Sequence, residues 1–113
     1  MFTILHNARC SKSRSAIAYL EEKGQEFEVR YYLENPLDKS EIEQLLQKLG
    51  LNAIDIVRTN ETLWKEEFAG KDFTNDELIQ ILVENPKLIE RPIIVKDDKA
   101  VVGRPTENID QLL

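Results

Sequence analysis

The chain is a short acidic polypeptide of 113 residues, of which 42% are hydrophobic and 32% are charged. Its length favours one domain with one hydrophobic core, and no apolar run approaches the roughly 20 residues of a membrane span. The net charge of −6 argues against nucleic acid as a bulk electrostatic partner. We therefore expect a single domain over residues 1–113 that binds neither membranes nor nucleic acid.

The chain start and the single cysteine bear on location and on metal binding. The first ten residues, MFTILHNARC, lack the basic segment and long apolar stretch of a secretory signal, so we expect a cytoplasmic protein. A lone thiol stays reduced in that compartment. One Cys and one His fall short of the ligand set of a usual zinc or iron–sulfur site. We therefore expect no metal and no bound cofactor.

The predicted elements begin with a short strand, FTILH, and a helix in SKSRSAIAYLEEKGQ that ends at Gly24. The apolar face expected for this helix consists of Ile17, Ala18 and Leu20. FEVRYY alternates in the manner of a second strand, and Asn35-Pro36 ends it.

The middle of the chain carries helical signals. Asp38 with Glu41 and Thr74 with Glu77 each form a capping box ahead of an apolar stripe, and Gly50 follows the first stripe. Between the two helices, residues 52–70 predict one or two short helices and a loop that carries Arg58, with Trp64 in the core.

The C-terminal part predicts a hairpin and a last helix. β-Branched runs at 93–95 and 100–102 flank a Lys-Asp-Asp-Lys turn, and TENIDQLL reads as a helix capped by Thr106. The order β-α-β-(helices)-β-β-α is that of a thioredoxin-like α/β fold. We expect a mixed sheet flanked by helices, with an all-helical insertion at about residues 38–88.

The loop ILHNARCSKSRSA holds the only cysteine, Cys10, and the only histidine, His6. A thiol attacks as the thiolate, whereas a free cysteine with a pKa near 8.5 is mostly protonated in the cytoplasm. The N-terminus of the first helix and the charges of Arg9, Lys12, Arg14 and His6 would favour the charged sulfur. The same amides and cations would bind an oxyanion.

Other interpretations of Cys10, His6 and this loop are open at the level of the sequence. A free cysteine is often only a small buried hydrophobe, and His6 could be a hydrogen-bonded residue at a strand end. A tyrosine-phosphatase loop needs Arg six residues after Cys10, where this chain has Ala16. Ser13 replaces the second cysteine of a dithiol site, so a thiol of another molecule, glutathione or glutaredoxin, must resolve any adduct.

Three arginines, Arg58, Arg91 and Arg104, stand at predicted element boundaries, where site residues tend to lie. Taken singly, each is typical of a surface ion pair. The thioredoxin-like order makes Arg91-Pro92 more specific, because that fold has a cis-proline ahead of its third strand and beside the active cysteine. We therefore predict a cis Arg91-Pro92 bond, an isomer that is uncommon in folded proteins.

The segments HNARCSKSR, VRTNETLWKE, FTNDELIQILVENPKLIERPIIV and VGRPTE occur in the order and approximate spacing of one family. Over nearly its whole length the chain resembles arsenate reductases of the glutaredoxin- and glutathione-dependent type. The resemblance implies that Cys10 is the nucleophile. It implies three oxyanion-binding arginines, Arg58, Arg91 and Arg104. It also implies three residues that tune the thiolate, His6, Ser13 and Arg14.

The mechanism implied by the resemblance begins when the Cys10 thiolate attacks the arsenic of bound arsenate. Water leaves, glutathione adds as co-substrate, and glutaredoxin supplies the electrons. Arginines suit the oxyanion because a guanidinium offers paired donors and stays charged. Two positions depart from the family pattern: Ala8 replaces a common proline, and Ser11 replaces a glycine and brings a hydroxyl close to the anion.

Two alternatives to arsenate reduction remain open at the level of the sequence. Related proteins include Spx-like transcription regulators that bind RNA polymerase, although Ser13 makes their two-cysteine switch impossible here. A glutathione-dependent reductase of another disulfide or oxyanion would use the same thiol chemistry on a different substrate.

Overall fold

The computed structural model describes residues 1–113 and divides them into two compact units. The first unit joins Met1–Asn35 to Arg91–Leu113, and the second is Pro36–Glu90. The second unit has bounds close to the insertion expected at about 38–88. That the chain forms a single domain stays a prediction. None of its helices has the length and apolar character needed to cross a membrane.

The first unit is built on a four-stranded sheet in the order β2-β1-β3-β4. The strands are β1 (Phe2–Leu5), β2 (Phe27–Arg30), β3 (Ile93–Lys96) and β4 (Lys99–Val102). β2 runs parallel to β1, whereas β1–β3 and β3–β4 pair antiparallel. The parallel pair is joined by helix α1 (Ser11–Glu22), as its crossover requires. This mixed sheet with flanking helices confirms the predicted fold class.

The core of the first unit lies against one side of the sheet. It consists of Phe2, Ile4, Ala16, Leu20, Ile94, Ile109 and Leu112. The buried face of α1 passes through Ser13, Ala16 and Leu20, whereas Ala18 is exposed. The prediction that Ala18 lies on that face was wrong. The buried positions of α1 follow one another at intervals of three and four residues beginning at Ser13, a polar residue that an apolar pattern does not include.

The last element is a 3₁₀-helix, Thr106–Leu112, rather than the expected α-helix. Its N-cap is Pro105, which makes no side-chain cap, so the prediction of a Thr106 cap was wrong. The hairpin is tighter than predicted because Lys96 pairs with Lys99. Asp97 takes a positive φ of 56° in the turn between them, a conformation that Asp tolerates better than most residues.

The second unit contains the helices α2 (Lys39–Leu49), α3 (Thr62–Glu67) and α4 (Asn75–Glu84) and two 3₁₀ turns, Ala53–Ile56 and Pro86–Leu88. Both predicted capping boxes are present, since Asp38 and Thr74 each exchange hydrogen bonds with the glutamate three residues on. Gly50 ends α2 in the left-handed conformation, with φ 69°. Trp64 is buried, as predicted, and stacks on Phe68.

Candidate active site

Four strand ends of the first unit meet at one edge of the sheet. The last residue of β1 pairs with the last residue of β2 and with the first of β3, and the first residue of β3 pairs with the last of β4. The loop with Cys10 therefore begins at the edge where Arg91-Pro92 leads into β3 and Gly103-Arg104 follows β4. The topology gathers three chemistry-bearing segments that are far apart in the sequence.

Cys10 is the N-cap residue of α1, with extended backbone angles (φ −92°, ψ 121°) and only 8% of its surface exposed. Its N–H donates to the carbonyl of Asn7 at 2.9 Å, and its carbonyl accepts from the N–H of Arg14 at 3.1 Å. The backbone N–H groups of Lys12 and Ser13 hydrogen-bond to the sulfur. The first turn of the helix thus presents its unpaired donors to Cys10.

The pKa of the Cys10 thiol is lowered from its ordinary value. Burial is the largest single influence and disfavours the charged sulfur. It is outweighed by the N–H of Ser13, the positive charge of Arg91, the N–H of Lys12 and a hydrogen bond from the Arg91 side chain. A larger share of Cys10 is therefore thiolate at neutral pH than of a free cysteine.

Arg91 supplies the cationic influence on the sulfur. Its Nε is buried and has no hydrogen-bond partner, an uncommon state for an interior donor. Arg14 instead donates from Nη1 to the carbonyl of Ala8 at 2.8 Å, a hydrogen bond that joins the first turns of α1 to the loop before Cys10. Lys12 acts on the sulfur through its backbone, not through the ammonium group that the sequence suggested.

Ser13 is fully buried and connects the loop to His6. Its Oγ lies 2.7 Å from Nδ1 of His6 and accepts the N–H of Asn7 at 3.0 Å. Burial and the charge of Arg14 lower the pKa of His6, so the imidazole is neutral at neutral pH. The expectation that His6 contributes positive charge was therefore wrong. In its Nε2–H tautomer the neutral ring accepts the Ser13 hydroxyl at Nδ1, and the backbone N–H of Ser13 hydrogen-bonds to the Cys10 sulfur.

The lowered pKa of His6 predicts a loss of stability in acid. An unfolded chain binds a proton on His6 near pH 6.5, whereas the native state resists it, so stability declines as pH falls below about 6.5. We expect the Tm of the wild type to fall more between about pH 7.5 and 5 than that of His6→Gln. Equal falls in the two proteins would contradict this, because carboxylate effects are common to both.

The segment after β4 packs on the residue that follows Arg91. The N–H of Gly103 donates to the carbonyl of Pro92 at 2.9 Å. The Arg91-Pro92 bond is cis, the isomer expected from the sequence, and the Arg104-Pro105 bond, for which no expectation was formed, is also cis. Arg104 is exposed, and its carbonyl accepts Nδ2 of Asn108 at 3.2 Å.

Gly103 leaves no room for a side chain beside Pro92. A Cβ at this position would lie 2.6 Å from Cδ1 of buried Ile94 and 3.1 Å from Cγ of Pro92. We expect Gly103→Ala to lower the free energy of unfolding by about 1–3 kcal/mol and, by displacing Pro92 and Arg91, to slow alkylation of Cys10 by iodoacetamide.

The matched control for this prediction is Gly24→Ala. Gly24 has a φ of 68° and open space around it, so alanine there costs about 1–2 kcal/mol from backbone strain alone. It follows the far end of α1, and we expect its alkylation rate to equal that of the wild type. Equal rates in both variants would contradict a coupling between Gly103 and the thiol.

The sequence as a whole matches a known family model. The model, described as the ArsC family, covers residues 5–112. The chain belongs to the ArsC family.

Individual relatives agree with this assignment. The ArsC-family chain is 45% identical over 112 residues to the arsenate reductase of Neisseria meningitidis serogroup A, covering 97% of this chain and 96% of that protein. It is 46% identical over 112 residues to YfgD of Escherichia coli K12, named as uncharacterized, covering 97% and 94%. Among solved structures, the arsenate reductase from Vibrio cholerae has a TM-score of 0.94 at 41% identity and covers 99% of this chain and 97% of that one.

Arg58, the third arginine expected in the ArsC oxyanion site, belongs to the second unit. It lies in the loop between Ala53–Ile56 and α3, where Nη2 is 3.2 Å from a carboxylate oxygen of Glu61. Nη1 donates to the carbonyl of Lys87 at 3.1 Å. These contacts hold the guanidinium in place, and its participation in oxyanion binding stays a prediction.

Three residues of the site were not predicted from the sequence. Asn7 donates its N–H to Ser13, Gly103 packs against Pro92, and Tyr31 contacts His6 with ring centroids 5.6 Å apart. Gly103 was the most accessible of these, since a glycine directly before an Arg-Pro pair at a strand end indicates close backbone approach.

Proposed function

We propose that this ArsC-family protein reduces arsenate to arsenite with Cys10 as the nucleophile and with glutathione and glutaredoxin as thiol donors. The observation that carries the proposal is the pairing of a lowered thiol pKa with the Arg91 guanidinium that contacts the sulfur. A nucleophile and an anion-binding group occupy one site. Relatives from Neisseria meningitidis and Vibrio cholerae that bear the name arsenate reductase support the choice of oxyanion.

The first chemical step follows from the site. The Cys10 thiolate attacks arsenic and forms a sulfur–arsenic bond, while one arsenate oxygen takes up protons and leaves as water. N–H donors of the α1 N-terminus and the Arg91 guanidinium stabilise the charge that develops on the remaining oxygens. The buried Nε of Arg91, which lacks an acceptor in the protein, supports a role as a donor to the bound anion.

The second half of the reaction needs thiols from outside the chain. Arsenic gains two electrons on passing from arsenate to arsenite, and two thiols that become a disulfide supply them. Cys10 is the chain's only cysteine, and Ser13 occupies the position three residues on. Glutathione therefore bonds to the arsenic on Cys10, and a second arsenate oxygen leaves as water. A glutaredoxin thiol then attacks the glutathione sulfur, which gives a glutathione–glutaredoxin disulfide and leaves As(III) on Cys10. Water finally cleaves the sulfur–arsenic bond, releases arsenite and restores the thiol.

A coupled assay tests the proposal. Wild-type protein, arsenate, glutathione, glutaredoxin and an NADPH-linked glutathione reductase should give arsenate-dependent NADPH oxidation. Omission of glutaredoxin or of glutathione should each stop turnover. Arsenate-independent oxidation, or no turnover with the complete mixture, would contradict the assignment, and turnover without glutaredoxin would contradict that part of the mechanism.

The same assay on Arg58→Ala, Arg91→Ala and Arg104→Ala tests the oxyanion proposal. We expect large losses in kcat/KM for arsenate in all three variants if the three guanidinium groups hold one anion. Lys65→Ala, a change at another basic residue of the second unit, is the control for loss of charge alone. A normal kcat/KM in Arg58→Ala would remove Arg58 from the site and leave Arg91 and Arg104.

A further inference from the structure

Tyr31 is a half-exposed aromatic residue immediately after β2. Its side chain is 48% exposed, and its ring contacts the ring of His6 at a centroid distance of 5.6 Å and an interplanar angle of 67°. This edge-to-face arrangement is favourable for aromatic pairs. His6 itself is only 5% exposed, so a half-exposed ring packs on a buried imidazole.

His6 also makes one backbone and one side-chain hydrogen bond. The backbone N–H of His6 donates to the carbonyl of Arg30 at 2.9 Å, and its ring Nδ1 lies 2.7 Å from Oγ of Ser13. Arg14 of α1 is the charged group that acts on His6. The same loop and elements also carry charged or titratable groups: Arg9 and Cys10 in the loop, Lys12, Glu21 and Glu22 on α1, Glu28 and Arg30 on β2, and Tyr31 after it. The Arg30 side chain is directed elsewhere by its own bond, since Nε donates to the carbonyl of Asn35 at 3.0 Å.

We propose that Tyr31 is a positioning residue of the thiolate site, because its ring covers the exposed side of His6 and holds Nδ1 against the Ser13 hydroxyl. The inference rests on the assignment of Cys10 as the nucleophile. The contacts run in series: the Tyr31 ring to the His6 ring, Nδ1 of His6 to Oγ of Ser13, and the N–H of Ser13 to the Cys10 sulfur.

The role of the Tyr31 ring follows from the chemistry of imidazole. A neutral ring with its proton on Nε2 accepts the Ser13 hydroxyl at Nδ1, whereas a doubly protonated ring can only donate there. Without the ring, water reaches His6, which then takes up a proton nearer to pH 6.5, the value of a solvated imidazole. The Ser13 hydroxyl then loses its acceptor, and the reactivity of Cys10 becomes dependent on the protonation of His6.

The chain allows a direct test because it has one histidine and one cysteine. NMR titration of the imidazole carbon-bound protons reports His6 without assignment, and the pH profile of iodoacetamide alkylation reports Cys10. In Tyr31→Ala we expect the His6 midpoint to rise from its lowered value toward that of a solvated imidazole, near pH 6.5. We also expect the alkylation profile to acquire a second inflection at that same midpoint.

Two variants serve as controls. Tyr31→Phe keeps the ring and should follow the wild type in both titrations. Leu33→Ala removes a side chain that is 44% exposed in the same turn, and it should also follow the wild type. Because Tyr31 is half exposed, its truncation leaves the core intact, and a merely structural role would lower the melting temperature without moving the His6 midpoint.

An unchanged His6 midpoint in Tyr31→Ala would overturn the proposal. Identical shifts in Tyr31→Ala and Tyr31→Phe would also overturn it, because the phenol hydroxyl and not the ring would then be responsible. Neither measurement uses arsenate, so a protein inactive toward arsenate but with the expected titrations would separate failure of the proposed function from failure of this inference.

Discussion

Cys10→Ser should abolish arsenate reduction in the coupled assay, leaving the rate at that of the mixture without protein. A serine hydroxyl is far less acidic than a thiol, so the same N–H donors and Arg91 cannot generate an effective nucleophile at neutral pH. Serine also cannot form the sulfur–arsenic bond. The change is nearly isosteric, and the far-UV circular dichroism and melting temperature should stay close to those of the wild type.

Ser11→Ala is the matched control for that experiment, since Ser11 adjoins Cys10 and is exposed. It should keep turnover and shift only the affinity for the anion. Arsenate-dependent turnover in Cys10→Ser above the protein-free rate would contradict the role of Cys10, because the chain has no other thiol.

Arg91→Ala should have the second-largest effect and should act on two quantities at once. Loss of the guanidinium removes a charge and a hydrogen bond that lower the pKa of Cys10, so the midpoint of the alkylation profile should move to higher pH. Loss of a donor to the oxyanion should reduce kcat/KM for arsenate by about 10²–10³-fold. Iodoacetamide kinetics against pH and the coupled assay measure the two effects separately.

Arg91→Lys separates charge from geometry. Lysine restores the positive charge, so the alkylation midpoint should return toward the wild-type value, but a single ammonium group lacks the paired donors of a guanidinium and kcat/KM should stay low. Arg9→Ala, at an exposed loop position, should leave both quantities unchanged. An unchanged alkylation midpoint in Arg91→Ala would contradict the contact between Arg91 and the thiol.

Local chemistry made much of this fold predictable. Asp38 and Thr74 each meet a glutamate three residues on, and Gly50 ends a helix, because capping depends on neighbours in sequence. The placement of Cys10 at the N-terminus of α1 is local in the same sense. The mixed character of the sheet was predicted from element order, and the parallel pairing of β1 with β2 reflects the helical crossover between them.

Long-range contacts account for the features of the site that were not predicted from the sequence. The charge state of His6 depends on its burial and on the charge of Arg14, and the Tyr31 ring that contacts it belongs to a segment distant from the loop. The sequence indicated basic residues near Cys10, yet the cation that acts on the sulfur is Arg91. Ser13 was predicted to replace a second cysteine and, from the resemblance, to tune the thiolate; its hydrogen bonds with Asn7 and His6, which link the loop together, were not predicted.

The small exposure of the sulfur determines which thiols can reach an adduct on it. Cys10 retains only 8% of its accessible surface, which restricts the approach of large reagents. A flexible tripeptide with a thiol-bearing arm meets this restriction, whereas a globular donor must offer its sulfur on a projecting segment. The same burial applies in both partners when two copies of this chain meet, so we expect oxidative cross-linking between copies to be slow.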